Sequence, residues 1–214
     1  IKFIVTGGEL LTDGIRHKIE KKLDTQIYDS YGMLQVPMIA GECRCGKLHL
    51  SKDCIAEVLT DDQKVKKSGK GVLLLTSNNI FTKVKMKRFE TNDIVVLEHQ
   101  KCKCGYFTKT IKILGRKSNV QKVKGQTIDF DILLNHLDAK GLDDNYYIEI
   151  IKEPTDTVIF HVSNKVNVEE FKKYIDDIIS FTYIVTPEND FSVLTTDTGK
   201  IKRIVIKDRR EGNL

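Results

Sequence analysis

Apolar and polar positions divide the chain into short blocks whose period switches between helical and strand-like. Residues 1–5 form an apolar run that stops at Gly7-Gly8, a pattern that reads as a buried strand entering a tight turn. Leu11, Ile15, Ile19 and Leu23 recur at helical spacing with charge between them, which predicts a helix over 11–23. A second short strand and a turn follow at 26–32. From Glu42 to Leu97 the pattern is strand-like, at 47–50, 55–59, 71–76 and 94–97, with turns at Asp61-Asp62 and Ser68-Gly69.

The character changes after Gly115-Arg116. Residues 120–124 read as a strand. Residues 129–137 read as a helix with Ile132, Leu133 and Leu137 on its apolar side, and Gly141 is its stop signal. Alternating strands are predicted at 146–151 and 157–162. Asn167 caps a second helix, with Glu169 and Glu170 in its first turn and Phe171, Tyr174, Ile175 and Ile178 on its buried face. A last strand is expected at 181–185. The order β-α-β-β-α-β is the split, ferredoxin-like pattern. The expected class is α/β (α+β): a β-rich domain over 1–115, a hinge at 116–119 and a small domain over 120–214.

Composition narrows the function classes. Hydrophobic residues make up 40% of the 214 residues and charged residues 30%, the balance of an ordinary globular protein. No apolar run approaches the roughly 20 residues that span a bilayer, and no secretory signal opens the chain. A cytoplasmic location and no membrane partner are expected. The start at Ile1 rather than Met reads as a fragment, a processed product or a disordered start. The net charge of +5 is spread among acidic residues, apart from Lys64, Lys66, Lys67 and Lys70 and from Lys83, Lys85, Lys87 and Arg88. These runs read as solvated faces, and without interleaved aromatics they do not point to nucleic acid.

Four of the five cysteines form two C-x-C-G units, Cys43-Arg44-Cys45-Gly46 and Cys102-Lys103-Cys104-Gly105. An odd count with paired short spacings argues against a disulfide framework and for a metal in a reducing compartment. Cys54, in an apolar stretch, reads as a core thiol.

A series of short motifs recurs in fixed order: Gly7-Gly8-Glu9; Asp29-Ser30-Tyr31-Gly32-Met33-Leu34-Gln35; Gly41-Glu42-Cys43 with Leu48-His49; Arg88 to Asp93; Cys102 to Gly105; Ile113-Leu114-Gly115-Arg116; and Thr198-Gly199-Lys200-Ile201-Lys202-Arg203. Together they resemble the later motifs of adenylate-forming enzymes of the phenylacetate–CoA ligase and capsule-biosynthesis branch. The resemblance implies the β-rich C-terminal part of the large AMP-binding domain, followed by a ferredoxin-like lid. It implies activation of a carboxylic acid by ATP with magnesium, an acyl-adenylate, and transfer to a thiol acceptor, usually coenzyme A. A homodimer is compatible with it.

The residues can also be read physically. Gly7 and Gly8 lack a Cβ and let backbone approach a flat ligand; in the family the matching turn borders adenine. Tyr31 precedes Gly32, so its ring can stand at a pocket mouth, and the family's matching aromatic stacks on adenine. Asp93, read as lying just before a strand, can accept two neighbouring hydroxyls, and its family counterpart holds the ribose. Arg116 matches a hinge residue that contacts nucleotide. Lys200 matches the adenylation lysine, whose ammonium neutralises charge developing on the α-phosphate.

Three features depart from the family pattern. Gln35 stands where the family has a glutamate that helps hold magnesium. Ser118-Asn119 replaces two acids at the hinge. The phosphate loop belongs upstream of Gly7, and these 214 residues hold no such segment.

For zinc, Cys102 and Cys104 form one arm. The family pattern makes Cys43 and His49 the other arm, while Cys45 competes with His49 to give a four-cysteine site. The site has no evident open position and reads as structural. The rival to the enzyme reading is a non-catalytic, zinc-stapled binding or regulatory module.

Overall fold

The computed structural model describes residues 1–9, 11–77, 85–99, 101–142, 145–191 and 202–210. It divides into two compact units, Ile1–Leu11 with Arg16–Ser118, and Thr12–Ile15 with Asn119–Leu214. Among the described residues no helix is long and apolar enough to cross a membrane.

The first unit is built on a nine-stranded sheet. Its strands are β1 (Phe3–Gly7), β2 (Gln26–Met33), β3 (Val36–Glu42), β4 (Leu48–Leu50), β5 (Cys54–Leu59), β6 (Val65–Lys66), β7 (Gly69–Ser77), β8 (Met86–Glu98) and β9 (Thr110–Arg116). Their order across the sheet is β1-β2-β3-β4-β9-β8-β7-β5-β6. Among its described strands only β1 and β2 pair in parallel, and the helix α1 (Asp13–Leu23) lies between them in the chain. The helix predicted over 11–23 is present, but no residue of it is buried. The core is the apolar face of the antiparallel part: Val36, Ile39, Val58, Leu73, Leu75, Val95 and Leu97 are almost completely buried. Cys54 belongs to this core, as a thiol in an apolar stretch should.

Strand β8 begins well before the predicted 94–97, so Asp93 lies inside it rather than ahead of it. The alternation is hidden because Arg88 and Asn92 adopt left-handed backbone (φ 48° and 64°) and the pairing shifts register around them. Side chains there do not keep the period of two that marks a regular strand in a sequence.

The second unit contains a hairpin, β10 (Val120–Val123) with β11 (Gln126–Asp129), and a four-stranded sheet in the order β14-β13-β12-β15. The sheet strands are β12 (Tyr146–Lys152), β13 (Thr157–Val162), β14 (Ile184–Pro187) and β15 (Ile204–Asp208). The predicted strand at 120–124 therefore pairs with β11 instead of entering the sheet, and β15 runs beside β12 in parallel. The buried Lys152 donates to the Lys122 carbonyl at 2.5 Å and so ties hairpin to sheet. The strand predicted at 181–185 starts at Ile184 and is not the last.

Helices α2 (Phe130–Asp138) and α3 (Val168–Asp176) begin where their caps dictate. Asp129 accepts the Asp131 and Ile132 N–H groups, and Asn167 those of Glu169 and Glu170. Phe130, Leu133 and Leu137 of α2 and Phe171 and Ile175 of α3 fill one core with Ile148, Ile150, Val158 and Phe160. Ile132, expected on the apolar side of α2, is 54% exposed. The buried face of that helix runs through Phe130 instead.

Candidate nucleotide pocket and metal centre

Three predicted nucleotide-site residues meet on one carboxylate. Asp93 is 8% exposed. The Tyr31 hydroxyl donates to its Oδ2 at 2.5 Å, and Arg116 Nε lies 3.1 Å from its Oδ1. The convergence follows from strand pairing: Asp93 stands directly opposite Arg116 in the β8–β9 ladder. Thr91 Oγ accepts the Asp93 N–H at 3.2 Å and donates to the Leu73 carbonyl, which fixes the irregular stretch of β8. Burial, and then the Asp93 charge, push the Tyr31 hydroxyl far above its ordinary pKa, so it stays a donor. A carboxylate offers about four acceptor positions. Tyr31 and Arg116 use one on each oxygen, which leaves capacity for a pair of incoming hydroxyls.

Glycine plays different parts around this cluster. A Cβ on Gly32 would sit 2.1 Å from the Pro37 carbonyl oxygen, so only glycine permits the close β2–β3 return that carries Tyr31. A Cβ on Gly7 would meet Ser30 Oγ at 2.5 Å. The bare backbone of Gly7 thus accommodates β2 itself. Gly8 has φ +94° with open space where a Cβ would stand, which is the exposed turn expected after β1.

Gln35 lies in the exposed turn between β2 and β3. With Lys85, Met86, Lys87 and Phe89 it lines a cavity of about 340 Å³. Among the described residues the lining includes two ammonium groups and no carboxylate. That is a poor setting for a hard dication such as magnesium, which needs anionic oxygen ligands. Lys83 and Lys200 lie outside the described residues. Arg203, from the same motif as Lys200, pairs through both guanidinium NH groups with the fully buried Asp138 carboxylate, at 2.6 Å each. Tyr146 donates to the same carboxylate at 3.1 Å.

The metal-type cluster combines Cys43, His49, Cys102 and Cys104, whose ligand atoms all lie within 4.8 Å of one another. Cys43 Sγ and Cys102 Sγ are 3.8 Å apart, and Cys104 Sγ and His49 Nε2 are 3.4 Å apart. Tetrahedral zinc, with bonds of about 2.3 Å to sulfur and about 2.0 Å to nitrogen, sets such pairs about 3.8 and 3.5 Å apart. The donor set therefore fits zinc.

Local folding explains the preorganisation. Gly46 N–H returns to the Cys43 carbonyl at 2.8 Å, and Gly105 N–H to the Cys102 carbonyl at 3.1 Å. Both glycines have left-handed φ, +69° and +91°. Backbone N–H groups of Cys45 and Tyr106 point at Cys43 and Cys104 sulfur, each at 3.4 Å. The Cys104 backbone N–H, first among several contacts, lowers the Cys102 thiol to about 7. His49 is buried on β4, between β3 and β9, and its Nδ1 lies 3.4 Å from Thr108 Oγ. That contact leaves Nε2 facing the sulfurs. Cys45 is exposed and outside the four-atom group.

Two supporting features carry no signal in the sequence. Thr108 orients His49 but belongs to no motif. Glu42 belongs to a quoted motif, yet its part emerges only in three dimensions. It takes both Arg16 NH2 contacts, at 2.8 and 3.0 Å, and accepts the Asp29 N–H at 2.6 Å, joining α1, β2 and β3.

No protein-family model and no curated protein matches the chain by sequence. Its fold does match solved structures. 2-Hydroxyisobutyryl-CoA ligase in the postadenylation state, in complex with 2-HIB-AMP, superposes with a TM-score of 0.75 at 18% identity, over 92% of this chain and 46% of that one. Anthranilate CoA ligase in complex with anthranoyl-AMP gives 0.67 at 13% identity, over 95% and 43%. o-Succinylbenzoate CoA synthetase from Bacillus subtilis, in complex with OSB-AMP, gives 0.63 at 13% identity, over 95% and 45%. The chain spans less than half the length of each. Its mixed α/β fold is that of the C-terminal part of adenylate-forming ligases.

Proposed function

We propose that this chain is part of an ATP-dependent, acyl-adenylate-forming ligase of the phenylacetate–CoA ligase type, with residues 1–115 as the C-terminal part of the AMP-binding domain, 116–119 as the hinge and 120–214 as the lid. The observation that carries the reading is the convergence of Tyr31 and Arg116 on the buried Asp93. Asp93 accepts the two ribose hydroxyls, Tyr31 flanks the adenine beside the Gly7-Gly8 turn, and Arg116 contacts the nucleotide from the hinge. Lys200 supplies the positive charge that stabilises adenylation, and coenzyme A or another thiol accepts the acyl group. Zinc on Cys43, His49, Cys102 and Cys104 is structural: it supplies folding energy by joining the connection after β3 to the connection before β9.

Calorimetric titration with AMP tests the pocket. Asp93→Asn should weaken binding by about 10-fold or more, the value of hydrogen bonds to a charged group. Equal affinity of variant and wild type rejects Asp93 as the ribose residue. In the complete ligase, Lys200→Ala should slow acyl-adenylate formation by roughly 10²–10³-fold. It should largely spare thiol transfer from preformed adenylate. Equal loss in both half-reactions removes Lys200 from its role.

The second reading, a non-catalytic module, is favoured by Gln35 with its lysine-lined surroundings. A complete protein that binds AMP but exchanges no pyrophosphate with any carboxylate would decide for it.

A further inference from the structure

Three polar side chains line the cavity between the β2–β3 turn and the start of β8: Gln35, Lys85 just ahead of β8, and Lys87, the second residue of that strand. Among the described residues neither lysine makes an ion pair or a side-chain hydrogen bond, and the Gln35 side-chain amide has no partner either. Acids near this part of β8 are already engaged. Glu57 pairs with Arg88 at 2.9 Å, and Glu90 with Lys117 at 3.0 Å. Two ammonium groups thus share one cavity with no described anion to offset them, and like charges repel. The rest of the lining is apolar: Met86, 7% exposed, and Phe89, 44% exposed. An aromatic ring left that open beside two cations is surface that the apolar part of a ligand would remove from water.

We propose that this cavity binds a small organic acid, an oxyanion head on an apolar or aromatic body. The Lys85 and Lys87 ammonium groups hold the head through charge-assisted hydrogen bonds. The body lies against Phe89 and Met86. The Gln35 amide, donor and acceptor at once, takes a further polar group of the ligand. Other ligand classes fit the lining less well. A divalent cation would meet two positive charges and no described anionic oxygen. A neutral apolar molecule would take both ammonium groups out of water with nothing in return. The volume of about 340 Å³ lies near the lower end of the roughly 300–1,000 Å³ usual for small-molecule sites, which suits a compact acid rather than a polymer. The inference does not rest on the ligase reading, because an acid can occupy this cavity whether or not the chain handles a nucleotide.

Calorimetric titration of the full chain with benzoate, phenyl phosphate and benzyl alcohol tests the site. One of the two anions should bind at least about 10-fold more tightly than the neutral alcohol, the value of hydrogen bonds to a charged group. Tighter benzoate assigns the head as a carboxylate and tighter phenyl phosphate as a phosphate, and either result supports the site. The double variant Lys85→Gln with Lys87→Gln should lose about 10-fold or more in that affinity, with its thermal midpoint unchanged because exposed lysines contribute little to stability. Phe89→Ala should weaken the same aromatic anion while leaving inorganic phosphate, bound weakly, where it was. Lys66→Gln with Lys70→Gln is the charge control: Lys66 is on β6, and Lys70 stands opposite Val96, at the other end of the β7–β8 ladder from Met86. Equal loss in this control reduces the effect to net charge and overturns the inference. So does wild-type affinity in the Lys85 and Lys87 double variant, or an alcohol that binds as well as the anions. Asp93→Asn separates this site from the nucleotide pocket. It should bind the acid as wild type does, and a loss there places the acid at Asp93 and overturns the inference while the pocket reading stands.

Discussion

In the metal cluster, three of four donors sit in two turns of the same pattern, each closed by a left-handed glycine and each aiming a backbone N–H at sulfur. In the Asp93 cluster, each of the three groups comes from a different strand, and only the β8–β9 register and the β2 bulge bring them together. The first is assembled locally twice and then joined. The second exists only once the sheet has formed. The metal cluster should therefore control whether the first unit folds, and the Asp93 cluster should adjust a sheet that is already there.

The sharpest way to break this contrast is Cys102→Ser. It should cost on the order of 5 kcal/mol in the zinc-loaded protein, because binding energy of a structural metal is folding energy. Cys54→Ser, a core thiol, should cost about 1–2 kcal/mol. Urea unfolding followed with and without a chelator compares them, and equal losses would mean that the cluster holds no structural metal.

Asp138→Ala probes the second unit by the same logic of a buried charge. Removing the carboxylate that Arg203 grips through two 2.6 Å contacts should cost about 3–5 kcal/mol. Arg203→Lys keeps the charge but not the fork, and should fall between wild type and Asp138→Ala in thermal denaturation. Wild-type stability for Asp138→Ala would show that the pair contributes little.

Thr108→Val asks how much of the metal cluster depends on support outside its ligands. Loss of the His49 Nδ1 contact should weaken zinc affinity by about 10-fold, read by competition with a chelating dye. Unchanged affinity would place the whole organisation in the two turns.

The smallest effect is on pH dependence. Burial and the Asp93 charge raise the Tyr31 hydroxyl above its unfolded value of about 10. The stabilisation from keeping it neutral is fully present below about pH 10 and is lost as pH rises beyond that. Wild type should lose stability faster than Tyr31→Phe in that window, by up to about 1.4 kcal/mol per pH unit. Parallel curves would show that Tyr31 does not exchange its proton differently on folding.

What was legible in the sequence was whatever is encoded over a few residues. The two C-x-C-G units, the cap Asn167, and the strands at 146–151 and 157–162 depend on local spacing, and a single turn or ladder suffices to express them. The full length of β8 and the departure of residues 120–123 from the main sheet were not legible. Left-handed residues broke the alternation in the first case, and an adjacent partner, β11, captured the strand in the second. The sequence by itself therefore determined the turns, the Asn167 cap, the buried face of α3 and the kinds of donor available. Only the tertiary structure decided that His49 rather than Cys45 faces the other three ligand atoms, that Tyr31 and Arg116 share Asp93, and that Glu42 joins α1 to two strands. Those choices rest on packing and strand register, which bring together residues 13 to 62 positions apart in the chain. Register is set by the whole buried face at once, and no short segment carries it.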